Sequence, residues 1–153
     1  VMGSRAGDLD PGVLIALGRA GIGWDQLDEL LTRESGLRAL AGTEDMRDIH
    51  TAAAAGDQTA CAALDVYHHR LRHYLGAYLA QLGGADAVVF TGGVGENPAA
   101  TRAAVVADME GLGIRIDPER NRAVAGHSRV VSHRRSRIAI LVIPTDEELE
   151  IAR

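Results

Sequence analysis

Three groups of residues have the types and spacing for chemistry on an anion. The first is Thr91-Gly92-Gly93-Val94-Gly95-Glu96-Asn97, followed by Pro98. Glycines let a ligand approach the backbone closely. N–H groups at the start of a helix lack intrahelical partners, and the helix dipole there favours negative charge. Together these make a cradle for phosphate. The second group is Asp146-Glu147-Glu148, placed just after Pro144-Thr145. A carboxylate there can hold Mg²⁺, directly or through water, beside nucleotide phosphates. The third group is cationic and loop-borne. Arg5 stands between Ser4 and Ala6-Gly7, where its planar fork can swing toward an anion, and Asp45 and Arg47 stand at the start of a helix, where they can bracket a ligand. Each group also has a plainer reading: a tight strand-to-helix turn, a surface arginine, or a helix cap beside a solvated charge. The glycine spacing fits neither the Walker pattern nor the dinucleotide fingerprint.

The elements that must hold these residues are legible from periodicity. Ala87-Val88-Val89-Phe90 is a short apolar run, as expected of a strand buried on both faces. Asn97 suits the N-cap of the next helix and Pro98 its first position, and that helix carries Arg102, Val105, Val106 and Met109. Ile138 to Ile143 is a second apolar strand, after which Thr145, with Glu148 three residues on, predicts a capping box and a final helix. In α/β sheets, ligands bind at the carboxyl ends of strands. If these two strands are parallel neighbours, Gly93–Asn97 and Asp146–Glu148 share one crevice.

Upstream, Asp10-Pro11 predicts a helix start, with helices over 12–20 and 24–33, the second carrying Leu27, Leu30 and Leu31 on one face. Ser35-Gly36 reads as its stop, and Thr43 as the cap of the helix that follows. The longest helix is expected over 59–82. His69 and His73 lie four apart on it, but no HExxH and no third ligand accompany them, so helix packing or solvation is the better account. Ile114-Arg115-Ile116 reads as a short strand, 119–122 as one helical turn, and the basic stretch 127–137 as a solvated hairpin.

Composition narrows the classes. The 153 residues suffice for one domain with a real core, at 46% hydrophobic and 24% charged. A net charge of −5 with 3% aromatics argues against nucleic acid as a partner. The single cysteine, Cys61, excludes an internal disulfide framework and fits a reducing, cytoplasmic compartment. No apolar run approaches the roughly 18 residues of a membrane span. The chain opens on Val1, as expected of a piece of a longer protein.

Four stretches, MGSRAGDLDP, GTEDMRDI, DAVVFTGGVGENPAATR and VIPTDEELEIAR, together resemble the acetate kinase family in order and spacing. The match is to the family's C-terminal portion and covers essentially the whole chain. The resemblance implies an α/β fold, the ribonuclease-H-like second domain of the actin, sugar kinase and Hsp70 superfamily, incomplete relative to the family. Residues 1–153 would be the nucleotide-binding part, with the N-terminal domain absent. The implied reaction transfers the γ-phosphate of ATP to acetate, giving acetyl phosphate and ADP reversibly, with Mg²⁺ (or Mn²⁺). By the same resemblance, Arg5 stabilises the transition state. Asp45, Met46 and Arg47 line the adenosine, Gly93, Val94, Gly95, Glu96 and Asn97 form the nucleotide loop, and Glu147 is associated with the metal. A homodimer without nucleic-acid or membrane partners is also implied. Glu44 stands where the family usually has asparagine, Pro98 where serine is frequent, and Ala6 where serine or cysteine is commoner. Two other readings remain: a non-catalytic nucleotide-binding fragment, and a propionate or butyrate kinase relative.

Overall fold

The computed structural model describes residues 1–123, 126–145 and 151. The expected final helix with its capping box, and with it Asp146, Glu147 and Glu148, lies outside the described residues. The chain divides into two compact units, Val1–Arg70 and Leu71–Arg153.

The first unit is helical. Helix α1 (Pro11–Arg19) starts as expected: the Asp10 carboxylate accepts the Gly12 N–H at 2.7 Å and proline opens the first turn. None of its residues is buried, so the helix is not embedded in the unit. Helix α2 (Trp24–Thr32) buries Leu27, with Leu30 and Leu31 half-buried beside it. Ser35-Gly36 does not simply stop the chain. Gly36 opens a further helix, α3 (Gly36–Ala41), which buries Leu37. Helix α4 (Met46–Ala54) is capped by Asp45, not Thr43; the Thr43 hydroxyl instead accepts the Asp45 N–H at 3.2 Å. The carboxylate wins because it reaches the Arg47 N–H, one of the partnerless donors of the first turn, at 2.9 Å. The longest helix, α5 (Gln58–Leu82), buries Ala60, Ala63 and Leu64 within the first unit. His69 and His73 are exposed on it, and among the described residues no three ligating side chains cluster for a metal.

The second unit is α/β. Strand β1 (Ala87–Phe90) leads into α6 (Gly92–Glu96) and α7 (Ala99–Val105), then a 3₁₀ turn (Glu110–Leu112) and α8 (Pro118–Arg122). Strands β2 (Arg129–Val130) and β3 (Ala139–Val142) complete a sheet of order β1-β3-β2. β1 and β3 are parallel neighbours, with Phe90 opposite Val142, so both chains leave the sheet at the same edge. The core gathers Val105, Val106, Met109, Ile114, Val131, Ile138, Ile140 and Val142, with Leu71, Leu75 and Leu79 of α5 against it. The expectation that β1 is buried on both faces is corrected: Val89 is 48% exposed, while Ile140 and Val142 of β3 are fully buried. An edge strand covers only one of its faces as well as a central one does. The strand expected at 114–116 reduces to two isolated bridges, Ile114 to Ile138 and Ile116 to Ser132. The Ser136 hydroxyl takes the Arg115 N–H at 2.9 Å and interrupts the ladder. Among the described residues no helix is long and apolar enough to cross a membrane.

Candidate functional site

In the second unit, the glycine-rich stretch leaves the carboxyl end of β1 as two short helices, not one turn and one helix. Gly92 has φ of +69°, which glycine adopts without strain. Asn97 closes α6 and does not open α7: its N–H and its Nδ2 both donate to the Gly93 carbonyl, at 3.3 and 3.1 Å. Pro98 therefore takes the cap position and α7 begins at Ala99. A Cβ added at Gly92 or Gly93 would meet nothing within 4 Å, so the backbone there stands open to a ligand. Gly95 is the reverse. A Cβ there would lie 3.1 Å from the Phe90 carbonyl carbon, so this glycine lets the loop sit against the end of β1.

Two side chains fasten the loop. The Glu96 carboxylate accepts the Thr145 N–H at 3.0 Å and its hydroxyl at 3.3 Å, tying the loop to the chain leaving β3. Arg102, read from sequence only as a helix residue, is 1% exposed. Its Nη1 donates to the carbonyls of Gly95 (2.9 Å) and Glu96 (2.7 Å). Asn121 holds the other side, through Oδ1 to Nε (2.7 Å) and its carbonyl to Nη2 (2.8 Å). Burial, with Arg129 nearby, pulls the Arg102 pKa below its ordinary value. Between the loop and α8 lies a cavity of about 290 Å³, bordered by Glu96, Asn97, Arg102, Asn121, Arg122 and Arg129 among others. Its arginine-rich wall suits a negatively charged group.

In the first unit, the Arg5 loop and the Asp45–Arg47 segment are brought together on α3. The carbonyls of Met2, Gly3 and Ser4 accept the N–H groups of Leu37, Arg38 and Ser35, each at 2.9 Å. Helix starts offer such donors without intrahelical partners, and this loop fills them. The Arg5 side chain is exposed. Gly3 lies against Glu44: a Cβ on it would stand 3.5 Å from the Glu44 Cβ. The Glu44 carboxylate in turn pairs with Arg38 at 3.6 Å.

Asp45 and Arg47 are not a two-sided bracket. They face each other: Arg47 Nε lies 3.0 Å from Oδ1, and Nη2 lies 2.5 Å from Oδ2. Two residues apart on a helix would point away from each other, but Asp45 is the cap and has an extended backbone. The Arg47 guanidinium, then the Arg47 backbone N–H, hold the Asp45 carboxyl at a pKa of about 2, and the pair raises that of Arg47. Met46 is buried in its unit at 7% exposure, so the outward face of this segment is the Asp45–Arg47 pair.

The sequence matches the acetokinase family over residues 1–153. The acetate kinase of Clavibacter michiganensis subsp. michiganensis is 56% identical over the whole chain, and that of Streptomyces avermitilis 51%. Among solved structures, Porphyromonas gingivalis acetate kinase superposes over 99% of the chain at TM-score 0.92 and 43% identity. A propionate kinase from Francisella tularensis superposes at TM-score 0.89 and 34% identity, again over 99% of the chain. The chain spans 39% of the length of the Clavibacter protein and 38% of the Porphyromonas one. With the strand order, the open glycine loop and these matches in agreement, the chain belongs to the acetokinase family and has the mixed α/β fold of its members.

Proposed function

We propose that this chain is the nucleotide-binding share, from the C-terminal portion, of an acetate kinase. The reaction is reversible transfer of the γ-phosphate of ATP to acetate. A carboxylate oxygen of acetate bonds to the γ-phosphorus as the bond from phosphorus to the bridging oxygen breaks, and ADP departs with those electrons. The observation that carries the reading is the open backbone at Gly92 and Gly93, held at the carboxyl end of β1 beside parallel β3. That is where an α/β sheet binds its ligand.

Phosphoryl transfer asks for position and countercharge more than for covalent chemistry. Gly93, Val94, Gly95, Glu96 and Asn97 are the nucleotide loop, with Glu96 acting through Thr145 as a strut. Asp45, Met46 and Arg47 form the adenosine segment, offering its ion pair outward. Arg5 supplies positive charge to the transferring phosphoryl group from an exposed side chain on a loop fixed by α3. Glu147 is the residue for Mg²⁺ (or Mn²⁺), which neutralises phosphate charge when bound. A homodimer in the cytoplasm is part of the same reading. Propionate as acyl acceptor is the second reading, favoured by the likeness to the Francisella propionate kinase.

The test is calorimetric titration of the chain with ADP, with and without Mg²⁺. Saturable, Mg²⁺-sensitive binding is expected, and weaker binding after Gly93→Val. Absence of any saturable heat refutes the loop assignment. In an enzyme completed by the rest of a relative's sequence, Arg5→Ala should lower kcat on the order of 10²-fold or more. An unchanged kcat refutes that role. The same assay with acetate, propionate and butyrate decides the acyl group, and sedimentation over a wide concentration range decides the dimer.

A further inference from the structure

Helix α6 has only five residues, so it can satisfy almost none of its own carbonyls, and the last ones need partners from elsewhere. Those of Gly95 and Glu96 find one nitrogen, Nη1 of Arg102. The guanidinium is itself fixed. Asn121 takes Nε and Nη2, and Asn121 is anchored by its own Nδ2 on the Ala99 carbonyl at 2.8 Å. The Arg102 side chain is therefore buried with four of its N–H donors spent on the chain, and its charge is placed against carbonyls at a helix C-terminus, where cations are favoured. Asn121 is buried with it, at 4% exposure.

We propose that Arg102 is a positioning residue for the nucleotide: it clamps the Gly95 and Glu96 carbonyls, with Asn121 as its backstop, and so holds the Gly93–Asn97 loop in ligand-ready shape. The proposal rests on the assignment of that loop to nucleotide binding made above. Arg102 acts through the loop backbone. Its donors point at oxygens of the chain itself, two of them on the loop. Only a planar fork can reach both loop carbonyls and both Asn121 oxygens at once. A lysine has one point charge and cannot do so.

The test uses the 153-residue chain, its Arg102→Lys variant and its Asn121→Ala variant, with two measurements. The first is amide hydrogen exchange without ligand. Arg102→Lys should speed exchange at residues 93–97 by about tenfold or more, while Ile140 and Val142 of β3 change by less than about twofold. Asn121→Ala should act on the same amides, by about threefold, and the double variant should fall short of the product of the two. The second is the Kd for Mg-ADP, expected to rise about tenfold in Arg102→Lys and less in Asn121→Ala. Unchanged exchange at 93–97, or an equal rise throughout the second unit, overturns the clamp. So does loosened exchange with an unaltered Kd, because the loop shape would then not matter to the ligand. If Arg102→Lys does not fold, the Asn121→Ala pattern alone decides. Loop exchange that responds as stated, in a parent chain that takes up no Mg-ADP, overturns the nucleotide assignment and leaves Arg102 as the fastener of the loop.

Discussion

Replacing Gly36 with alanine should detach the loop that carries Arg5. Gly36 opens α3 with φ of +63°, and backbone carbonyls of the first loop converge on its Cα. A Cβ there would stand 2.7 Å from the carbonyl oxygens of both Gly3 and Arg5, and closer still to that of Met2. Real side chains do not approach carbonyl oxygens so closely, and these oxygens are backbone atoms that cannot rotate aside. Relief means moving residues 2–5 away. That breaks the bonds from Ser35, Leu37 and Arg38 to the loop carbonyls, each 2.9 Å long. Each such bond is worth about 0.5–1.5 kcal/mol. Left-handed backbone adds about 1–2 kcal/mol for alanine, and the stiffer unfolded chain returns about 0.4–1 kcal/mol. The net expectation is destabilisation of the first unit by about 1.5–6 kcal/mol.

Gly42→Ala is the matching control. Gly42 also has positive φ, +76°, but a Cβ there meets nothing within 4 Å. It should cost only the backbone term, about 1 kcal/mol or less after the unfolded-state gain. The difference between the variants is therefore the crowding at Gly36. Two assays read it. Amide exchange at Ala6, Leu37 and Arg38, which all donate into this junction, should accelerate far more in Gly36→Ala than in Gly42→Ala. Trypsin should cut after the exposed Arg5 much faster, because the Ala6 N–H bond to the Leu31 carbonyl is lost with the loop. Equal stability in the two variants to within about 0.5 kcal/mol, with Arg5 still resistant, would refute the reasoning.

Three further outcomes follow from single distances or burial values. Asp45 should titrate near pH 2 rather than its ordinary 3.8, as followed by its carboxyl ¹³C shift, and Arg47→Ala should return it toward 3.8. Because the folded-state value is the lower one, the contribution of this pair to stability is complete above about pH 4 and is lost as pH falls toward 2. Ile140→Ala should destabilise the second unit by about 3–4 kcal/mol in urea, since a fully buried β3 side chain leaves a cavity; a loss below about 1 kcal/mol would mean the site collapses freely. Gly95→Ala should raise the Kd for Mg-ADP about tenfold with little change in urea midpoint, because its Cβ would press at 3.1 Å on the Phe90 carbonyl carbon and push the loop away; an unchanged Kd would remove the tight seat from the argument.

What was legible in the sequence was what depends on runs of apolar residues and on single capping chemistries. β1 and β3 came from two such runs, and their parallel pairing was the condition on which a shared edge rested. Asp10-Pro11 starts a helix as its chemistry predicts, whereas Asp117-Pro118, which reads locally as a turn, caps and opens α8. The capping errors share one cause. Where two capping residues compete within a few positions, sequence does not say which wins. Asp45 displaced Thr43 because its carboxylate can serve the backbone and Arg47 together. Asn97 turned back to the Gly93 carbonyl rather than forward to α7.

The larger omissions are long-range and have no periodic signature. Gly36 reads locally as a helix stop, yet its lack of a side chain is needed by residues more than thirty positions earlier. Arg102 reads as one more helical residue, yet its partner Asn121 is 19 positions away. A signal for Arg102 did exist. Arg102 stands three and four positions before Val105 and Val106, the spacing of one helical face, so its own position faces inward. A buried arginine must spend its donors on chain oxygens, and those within reach sit on the glycine loop. Helical phase thus points to a buried cation at Arg102, and the structure adds its partners, the Gly95 and Glu96 carbonyls of the same loop in which a Cβ at Gly92 or Gly93 would meet nothing within 4 Å.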